Sequence, residues 1–237
     1  MPLRKVVIHV GNKVVGKYEA RSYPHDCMTD DNLIELYEVP VYEITITGKD
    51  DAGAEQAFVH QAPRFMPYWN DPKVHPNRHY ATLGWANSGL SRARTITVTQ
   101  YRRDYEVQNR YSPGRGAIVL KGAFYIHAGP GLIGDFGFGS AGCIEIIGNY
   151  DVFKLNIASL SGSSYYASIK SRLALGVAPT PEIVTASDSA IEALVRHGKL
   201  VVDLKGAAAP DIRSKLSRKV ATSTIRTVTA RHSLPRP

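Results

Sequence analysis

A glycine-rich stretch between apolar runs constrains the fold of this chain more than any other feature. Residues 129–142 contain six glycines and a proline, and that density excludes a helix or a long strand there. The flanking runs at 117–120, 123–127 and 144–147 are rich in β-branched and aromatic residues and predict short strands. We therefore expect strands on either side of a loop that folds back and brings them together.

Two chemically active residues stand at the ends of these strands. His127 closes the upstream strand, and Cys143 directly precedes the downstream strand. A cysteine is nucleophilic as the thiolate, and a nearby imidazole is the commonest group that generates it near neutral pH. The pattern indicates a nucleophile and its activating imidazole at adjacent strand ends.

The residues just before the cysteine suit an oxyanion site. Gly142 has no Cβ, so a substrate carbonyl can approach the backbone N–H groups of Gly142 and Cys143. Loss of one such donor typically lowers the rate by about 100- to 1000-fold. Ser140 could hydrogen-bond within the turn or orient a substrate, and the sequence leaves both roles open.

Each of the two residues also has a purely structural interpretation. A free cysteine is often a small buried hydrophobe, and a histidine at a strand end is often only a hydrogen-bonded structural group. The joint pattern favours catalysis, because Ser-x-Gly-Cys, an apolar flank and an upstream histidine occur together.

His127 and Ser140-Ala-Gly-Cys143-Ile144 together resemble the signature of the L,D-transpeptidase (YkuD-type) catalytic domain. The resemblance covers about residues 117–155. It implies Cys143 as nucleophile, His127 as its base, and Ser140 and Gly142 as residues that shape the site. It also implies a mainly β fold, a single L,D-transpeptidase-like β-sandwich or barrel with a few peripheral helices.

The match is closest to a divergent branch of that family. Ala141 stands where most members have histidine, which removes any role for a second imidazole. Glu145 stands where an arginine is common, which replaces a cation by an anion near the site. These departures bear on substrate contacts more than on the cysteine–histidine pair.

The resemblance implies cysteine-dependent acyl transfer on the peptide stems of peptidoglycan, as carboxypeptidase, transpeptidase or D-amino-acid exchange enzyme. The divergent branch includes type VI secretion effectors that attack peptidoglycan. That membership implies an antibacterial toxin, with an immunity protein and a secretion machinery as further partners. The implied chemistry needs no cofactor and no metal.

The length and composition of the chain limit the size of its core and indicate where the protein acts. With 237 residues, 43% of them hydrophobic, the chain can bury one sizeable core. No apolar run approaches the roughly 20 residues of a membrane span, and residues 1–10 lack the apolar segment of a secretory signal. We expect synthesis in the cytoplasm without Sec export, and delivery to the periplasm of a target bacterium by a secretion system.

The positive charge is concentrated at the end of the chain. From residue 205 onward the sequence has eight lysines and arginines against one aspartate, and no aromatic residue. This composition predicts a catalytic domain at 1–205 and a basic, flexible tail at 206–237. Without aromatic residues the tail lacks a stacking platform for bases, which argues against nucleic-acid binding.

Local patterns predict the structure of several other segments. Residues 5–20 predict a hairpin turning at Gly11-Asn12, and residues 187–195 predict a helix that stops at Gly198. Residues 66–92 form an aromatic, proline-rich insert, in which His75 and His79 are a weak zinc pattern because Pro76 separates them. Outside it, Cys27 has His25 nearby but no glycine loop, so we interpret it as incidental.

Two other functions remain open from the sequence. One is a catalytically inactive module on the same scaffold that binds the cell wall or an anionic polymer. The other is a papain-like peptidase, which needs a histidine well downstream of the cysteine; only His197 and His232 are available, and neither lies in a convincing strand. The reactivity of Cys143 separates the enzyme from the inactive module.

Overall fold

The computed structural model describes residues 2–21, 33–63, 94–105, 115–122, 124–129, 143–173, 179–204 and 215–219. Within these residues the chain consists of two sheets and a few helices, with more residues in strands than in helices. The predicted mainly β class is therefore confirmed. The same part of the chain contains no helix long and apolar enough to cross a membrane.

The first sheet is built around a long antiparallel pair. Its strands are β1 (Val6–Arg21), β2 (Leu33–Lys49), β3 (Glu55–Pro63), β4 (Thr95–Thr97), β9 (Leu200–Asp203) and β10 (Lys215–Lys219). Their order is β10-β2-β1-β9-β4, with β3 also paired to β2. The β1–β9 pair is parallel, and the other pairs are antiparallel.

The second sheet contains the strands on either side of the predicted site, which carry His127 and follow Cys143. Its four strands, in spatial order, are β5 (Tyr101–Arg102), β6 (Ala117–Lys121), β7 (Phe124–Ala128) and β8 (Ile144–Ile146). Gly122, with φ of 56°, lies in the turn between β6 and β7, in a conformation that favours glycine. β7 and β8 pair in parallel, so the predicted adjacency of the two motif strands is confirmed.

Three α-helices accompany the sheets in the part of the chain that the structure describes. They are α1 (Tyr150–Leu160), α2 (Ser164–Ile169) and α3 (Pro181–Arg196), with a 3-10 turn at Lys170–Arg172. The Asn149 side chain caps α1 by accepting from the N–H groups of Asp151 and Val152.

One apolar core joins all these layers. It contains the alternating residues Val6, Ile8 and Val10 of β1, together with residues of both sheets, α1 and α3. The sheets also meet through their backbones, since the N–H of Ile147 donates to the carbonyl of Gln61 at 2.8 Å. This packing holds the second sheet, and with it the motif strands, against α1.

Two local predictions need correction. The residues predicted to form a hairpin at 5–20 lie, from Val6 onward, in one strand, β1, whose pairing with β2 is irregular between Val10 and Gly16; the long partner β2 continues the pairing beyond Gly11, where a local turn was expected. The helix predicted at 187–195 begins at Pro181, because Thr180 caps it through the N–H of Ile183. Within the predicted tail at 206–237, the described residues Lys215–Lys219 form β10, whose backbone pairs with β2.

Candidate active site

The register of the second sheet aligns four residues in one row across its strands. Arg102 pairs with Ala117, Ala117 with His127, and His127 with Glu145. Residues opposite each other on neighbouring strands point to the same face of a sheet. One face therefore carries an arginine, a small alanine, the candidate base and a glutamate, in that order.

The opposite face of these strands is apolar and fixes the register. The next row consists of Ile118, Ile126 and Ile144, and all three are fully buried in the core. A slip of one residue would turn these isoleucines away from the core and bring His127 to the core face in their place. The apolar pattern of the motif strands thus places His127 on the site face.

His127 is held as a neutral imidazole with a defined tautomer. Its side chain is 2% exposed, and its Nδ1 lies 2.8 Å from the carbonyl oxygen of Ala128. A carbonyl only accepts hydrogen bonds, so Nδ1 carries the proton and the Nε2 lone pair is left for chemistry. Burial lowers the pKa of His127 to about 4, against a smaller opposing effect of the Ala128 hydrogen bond.

Cys143 enters the same face at the start of β8. Ile144 pairs with Ile126, so Cys143 lies beside Tyr125, and the Tyr125 N–H donates to Cys143 Sγ at 3.4 Å. The thiol is 5% exposed. His127 is two residues further along β7, about 7 Å by strand rise.

The Tyr105 ring lies beside Tyr125 and the His127 imidazole, and the Arg102 guanidinium packs against Tyr105. The Tyr105 ring lies 4.8 Å from the Tyr125 ring and 6.0 Å from the His127 ring, between centroids. The Arg102 guanidinium lies 5.5 Å from the Tyr105 centroid, within cation–π range. Sequence reasoning missed Tyr105 and Arg102, since only the sheet pairing brings them to the motif.

Glu145 occupies the row position next to His127 on β8 and is 3% exposed. Gly129 packs against it: a Cβ on Gly129 would lie 2.8 Å from the Ile146 carbonyl oxygen and 3.0 Å from the Glu145 Cβ. The glycine that follows β7 is therefore needed for close packing of the two motif strands. Glu145, a predicted site residue, is thus the register partner of His127, and its role at the site stays a prediction.

A buried ionic network supports β7 from the core side. The Tyr150 hydroxyl donates to the Ile126 carbonyl at 3.0 Å, and Lys154 Nζ lies 5.9 Å from the Tyr150 ring centroid. Lys154, only 1% exposed, donates to Asp188 at 2.8 Å and lies 3.3 Å from Asp151. Burial raises the pKa of Tyr150, which keeps its hydroxyl protonated as a donor to β7.

Several predicted residues lie outside the described part of the chain. They are Ser140, Ala141 and Gly142 of the motif, Cys27 with His25, and the insert histidines His75 and His79. The oxyanion role of Gly142 and the alternatives for Ser140 remain predictions. Among the described residues, no group of three or more His, Cys, Asp and Glu side chains is placed to hold a metal ion.

Comparison with known proteins yields no match among family models, curated proteins or solved structures. The expected substrate class therefore rests on the resemblance at residues 117–155. The chemistry rests on geometry: a thiol with a backbone N–H at its sulfur and a neutral imidazole on the same sheet face. A thiol and an imidazole are the residue types that nucleophilic attack on a carbonyl uses when they come within hydrogen-bond reach of each other.

Proposed function

We propose that this chain is a cysteine-dependent acyl-transfer enzyme that acts on peptidoglycan stem peptides. One observation carries the proposal: His127 lies on β7 and Cys143 directly precedes the paired parallel strand β8, with Nδ1 of His127 hydrogen-bonded to the Ala128 carbonyl. Burial lowers the pKa of His127 to about 4, so at neutral pH the imidazole is neutral and its Nε2 is unprotonated.

In the proposed reaction, His127 Nε2 takes the thiol proton while Cys143 Sγ bonds to the carbonyl carbon of the third stem residue, a diamino acid. The C–N bond to the terminal D-alanine breaks, and the imidazolium gives its proton to the departing amine. The resulting thioester passes to water, or to the amine of a D-amino acid. His127 takes the proton of that second nucleophile and returns it to the sulfur.

The family resemblance supplies the substrate and the biological setting of the proposal. It favours an L,D-transpeptidase-like arrangement of the two sheets, as a sandwich or barrel, which the backbone contact between Gln61 and Ile147 supports. It also favours a secreted antibacterial effector, delivered to the periplasm of a target cell, with an immunity protein in the producer. Peptidoglycan stems are then the partner that the site meets.

Mass spectrometry of disaccharide-tetrapeptide fragments tests the proposal. Wild type is expected to release D-alanine, or to exchange it when a second D-amino acid is supplied, and Cys143→Ala is expected to do neither. His127→Gln should lower the rate by about 100- to 10,000-fold, the usual contribution of a general base. Wild-type protein that leaves tetrapeptide, pentapeptide and cross-linked stems intact would overturn the proposal.

The burial of both residues favours a second candidate, the inactive binding module. Cys143 is 5% and His127 2% exposed, as expected for structural residues in a core. The rate of Cys143 alkylation by iodoacetamide separates the two functions. A thiol that reacts near neutral pH, and more slowly in His127→Gln, supports the enzyme; an inert thiol in both proteins supports the module.

A further inference from the structure

The chain segment that begins with Cys143 contacts β7 at a second point, through Tyr150. Tyr150 is the first residue of α1, and a bend at Gly148 links it to β8. Gly148 has a φ of 93°, a conformation that favours glycine, so the chain can turn sharply from strand to helix. The Tyr150 hydroxyl then donates to the Ile126 carbonyl oxygen at 3.0 Å. One short segment therefore holds β7 twice, by strand pairing and by a side-chain hydrogen bond.

This hydrogen bond meets β7 between the row of the thiol and the row of the imidazole. Cys143 directly precedes Ile144, which pairs with Ile126. His127 directly follows Ile126, so the Ile126 carbonyl and the His127 N–H belong to one planar peptide group. A bond that fixes this carbonyl restricts the direction in which the His127 side chain leaves the strand. Because Tyr150 and Cys143 belong to one segment, the bond also holds the cysteine in place relative to His127.

The Tyr150 hydroxyl is fixed in the core. Tyr150 is 1% exposed, and Ile126 is fully buried. The Tyr150 ring stacks on the ring of Phe153, with centroids 5.4 Å apart and ring planes inclined by 17°. Bulk water does not reach a site of this burial, so the Ile126 carbonyl would lose this hydrogen bond without compensation if the hydroxyl were removed.

The first turn of α1 is anchored by buried charges. Lys154 is 1% exposed, and its Nζ lies 5.9 Å from the centroid of the Tyr150 ring. The ammonium donates to Asp188 of α3 at 2.8 Å and lies 3.3 Å from Asp151 of α1. Breaking such a buried ion pair is strongly destabilising. The network thus ties the start of α1 to a neighbouring helix and gives the Tyr150 hydroxyl a rigid support.

We propose that Tyr150 is a positioning residue that sets the separation of the Cys143 sulfur and the His127 imidazole. This inference rests on the proposed function and adds to it a residue on the core side of β7, away from the substrate. Cys143 and His127 are two rows apart along the strands, about 7 Å by strand rise. Proton transfer needs the two groups within hydrogen-bond reach, about 3 Å. Their side chains must approach across that gap, so a shift of about 1 Å in β7 can lower the rate about 100-fold.

A double-mutant cycle on Cys143 alkylation by iodoacetamide tests the role of Tyr150 without a substrate. The four proteins are wild type, Tyr150→Phe, His127→Gln and the double variant. We expect Tyr150→Phe to slow alkylation about 10-fold when His127 is present, and less than about 2-fold in the His127→Gln background. A merely structural loss would act alike in both backgrounds, because looser packing exposes the sulfur whether or not residue 127 is a base.

Tyr101→Phe is the matched control. It removes a tyrosine hydroxyl that donates to Asp188 at 2.7 Å, in the same buried network, and the Tyr101 hydroxyl makes this bond to α3 instead of to β7. Alkylation of Tyr101→Phe should stay within about 2-fold of the wild-type rate. Tyr150→Phe retains the ring that stacks on Phe153, so it is expected to fold, and the rates are compared at equal folded fraction.

Turnover supplies an independent readout of the same role. With stem substrate, Tyr150→Phe should lower kcat about 10-fold and leave KM unchanged, because Tyr150 lies on the core side and does not touch the substrate. Unchanged alkylation in Tyr150→Phe, or equal slowing with and without His127, would overturn the positioning role while D-alanine release by wild type still supports the proposed function. Absence of D-alanine release overturns the proposed substrate, and a thiol inert in wild type overturns both.

Discussion

His127 and Glu145 lie opposite each other, in register, on the parallel strands β7 and β8, and both side chains are almost fully buried. Their shared face places a carboxylic acid next to the imidazole that takes a proton in the proposed reaction. A nearby carboxylate stabilises an imidazolium electrostatically, the more so where water is excluded. Under the proposed function, Glu145 is therefore expected to favour the imidazolium, whereas an arginine at this position would oppose it.

Glu145→Gln should therefore slow the step in which His127 accepts the proton of the Cys143 thiol. We expect a decrease of about 10-fold or more in Cys143 alkylation and in D-alanine release, since an isosteric amide removes the charge and retains the shape. Rates of both processes, measured with wild type and variant at equal folded fraction, check this. Unchanged rates would assign Glu145 a packing role against Gly129.

Stability should fall as the pH falls from about 6.5 to 4. Burial lowers the pKa values of both His60 and His127 from 6.5 to about 4. In that window the unfolded chain binds protons that the folded protein excludes, so the stabilising contribution is present above pH 6.5 and is lost on acidification. Each histidine contributes a slope of about 1.4 kcal/mol per pH unit.

Urea unfolding at a series of pH values between 7.5 and 4.5 measures this slope. His60→Gln is the informative variant, because glutamine can still accept the hydrogen bond that Asn156 donates to His60 Nε2 at 3.1 Å. It should remove one histidine's share of the slope. A slope equal to that of wild type would contradict the assigned cause.

Gly129→Ala should destabilise the motif strands. The added Cβ would meet the Ile146 carbonyl oxygen at 2.8 Å, and that backbone atom cannot move aside without disturbing β8. We expect a loss of about 1–3 kcal/mol in the free energy of unfolding. Gly11→Ala is the control, because a Cβ there meets nothing within 4 Å and should change stability by less than about 0.5 kcal/mol.

Lys154→Met should destabilise the protein strongly, because it removes the cation between two buried carboxylates. Lys154 contacts Asp151 and Asp188, and the Tyr101 hydroxyl also donates to Asp188 at 2.7 Å. Breaking a buried ion pair typically costs about 3–5 kcal/mol. Adding Asp188→Asn should recover part of that loss in urea unfolding, since asparagine removes the uncompensated charge and can still accept from Tyr101. A double variant as unstable as the sum of its singles would refute the coupling.

Local sequence patterns were sufficient for much of the second sheet. The apolar runs around His127 and Cys143 predicted β6, β7 and β8, and Gly122 predicted the turn within them. These features depend on propensities and periodicities that act over a few residues, so a single sequence reveals them.

The sequence did not predict the strand pairs between segments that lie far apart in the chain. The Gly11-Asn12 pair suggested a turn, yet the long strand β2 keeps β1 extended past it. Likewise, β10 carries no strong strand pattern and forms through its backbone bonds to β2. In both cases the hydrogen bonds to a strand distant in sequence outweigh the local conformational preference of the residues.

By itself the sequence determined the mainly β class, the glycine turn between β6 and β7, and the cysteine and histidine that are the candidate nucleophile and base. Only the tertiary structure decided that Arg102, Ala117, His127 and Glu145 share one row and that the Nδ1 tautomer of His127 is set by Ala128. Chemical identity is a property of each residue. Register, burial and pKa arise from neighbours that the chain brings together only when it folds.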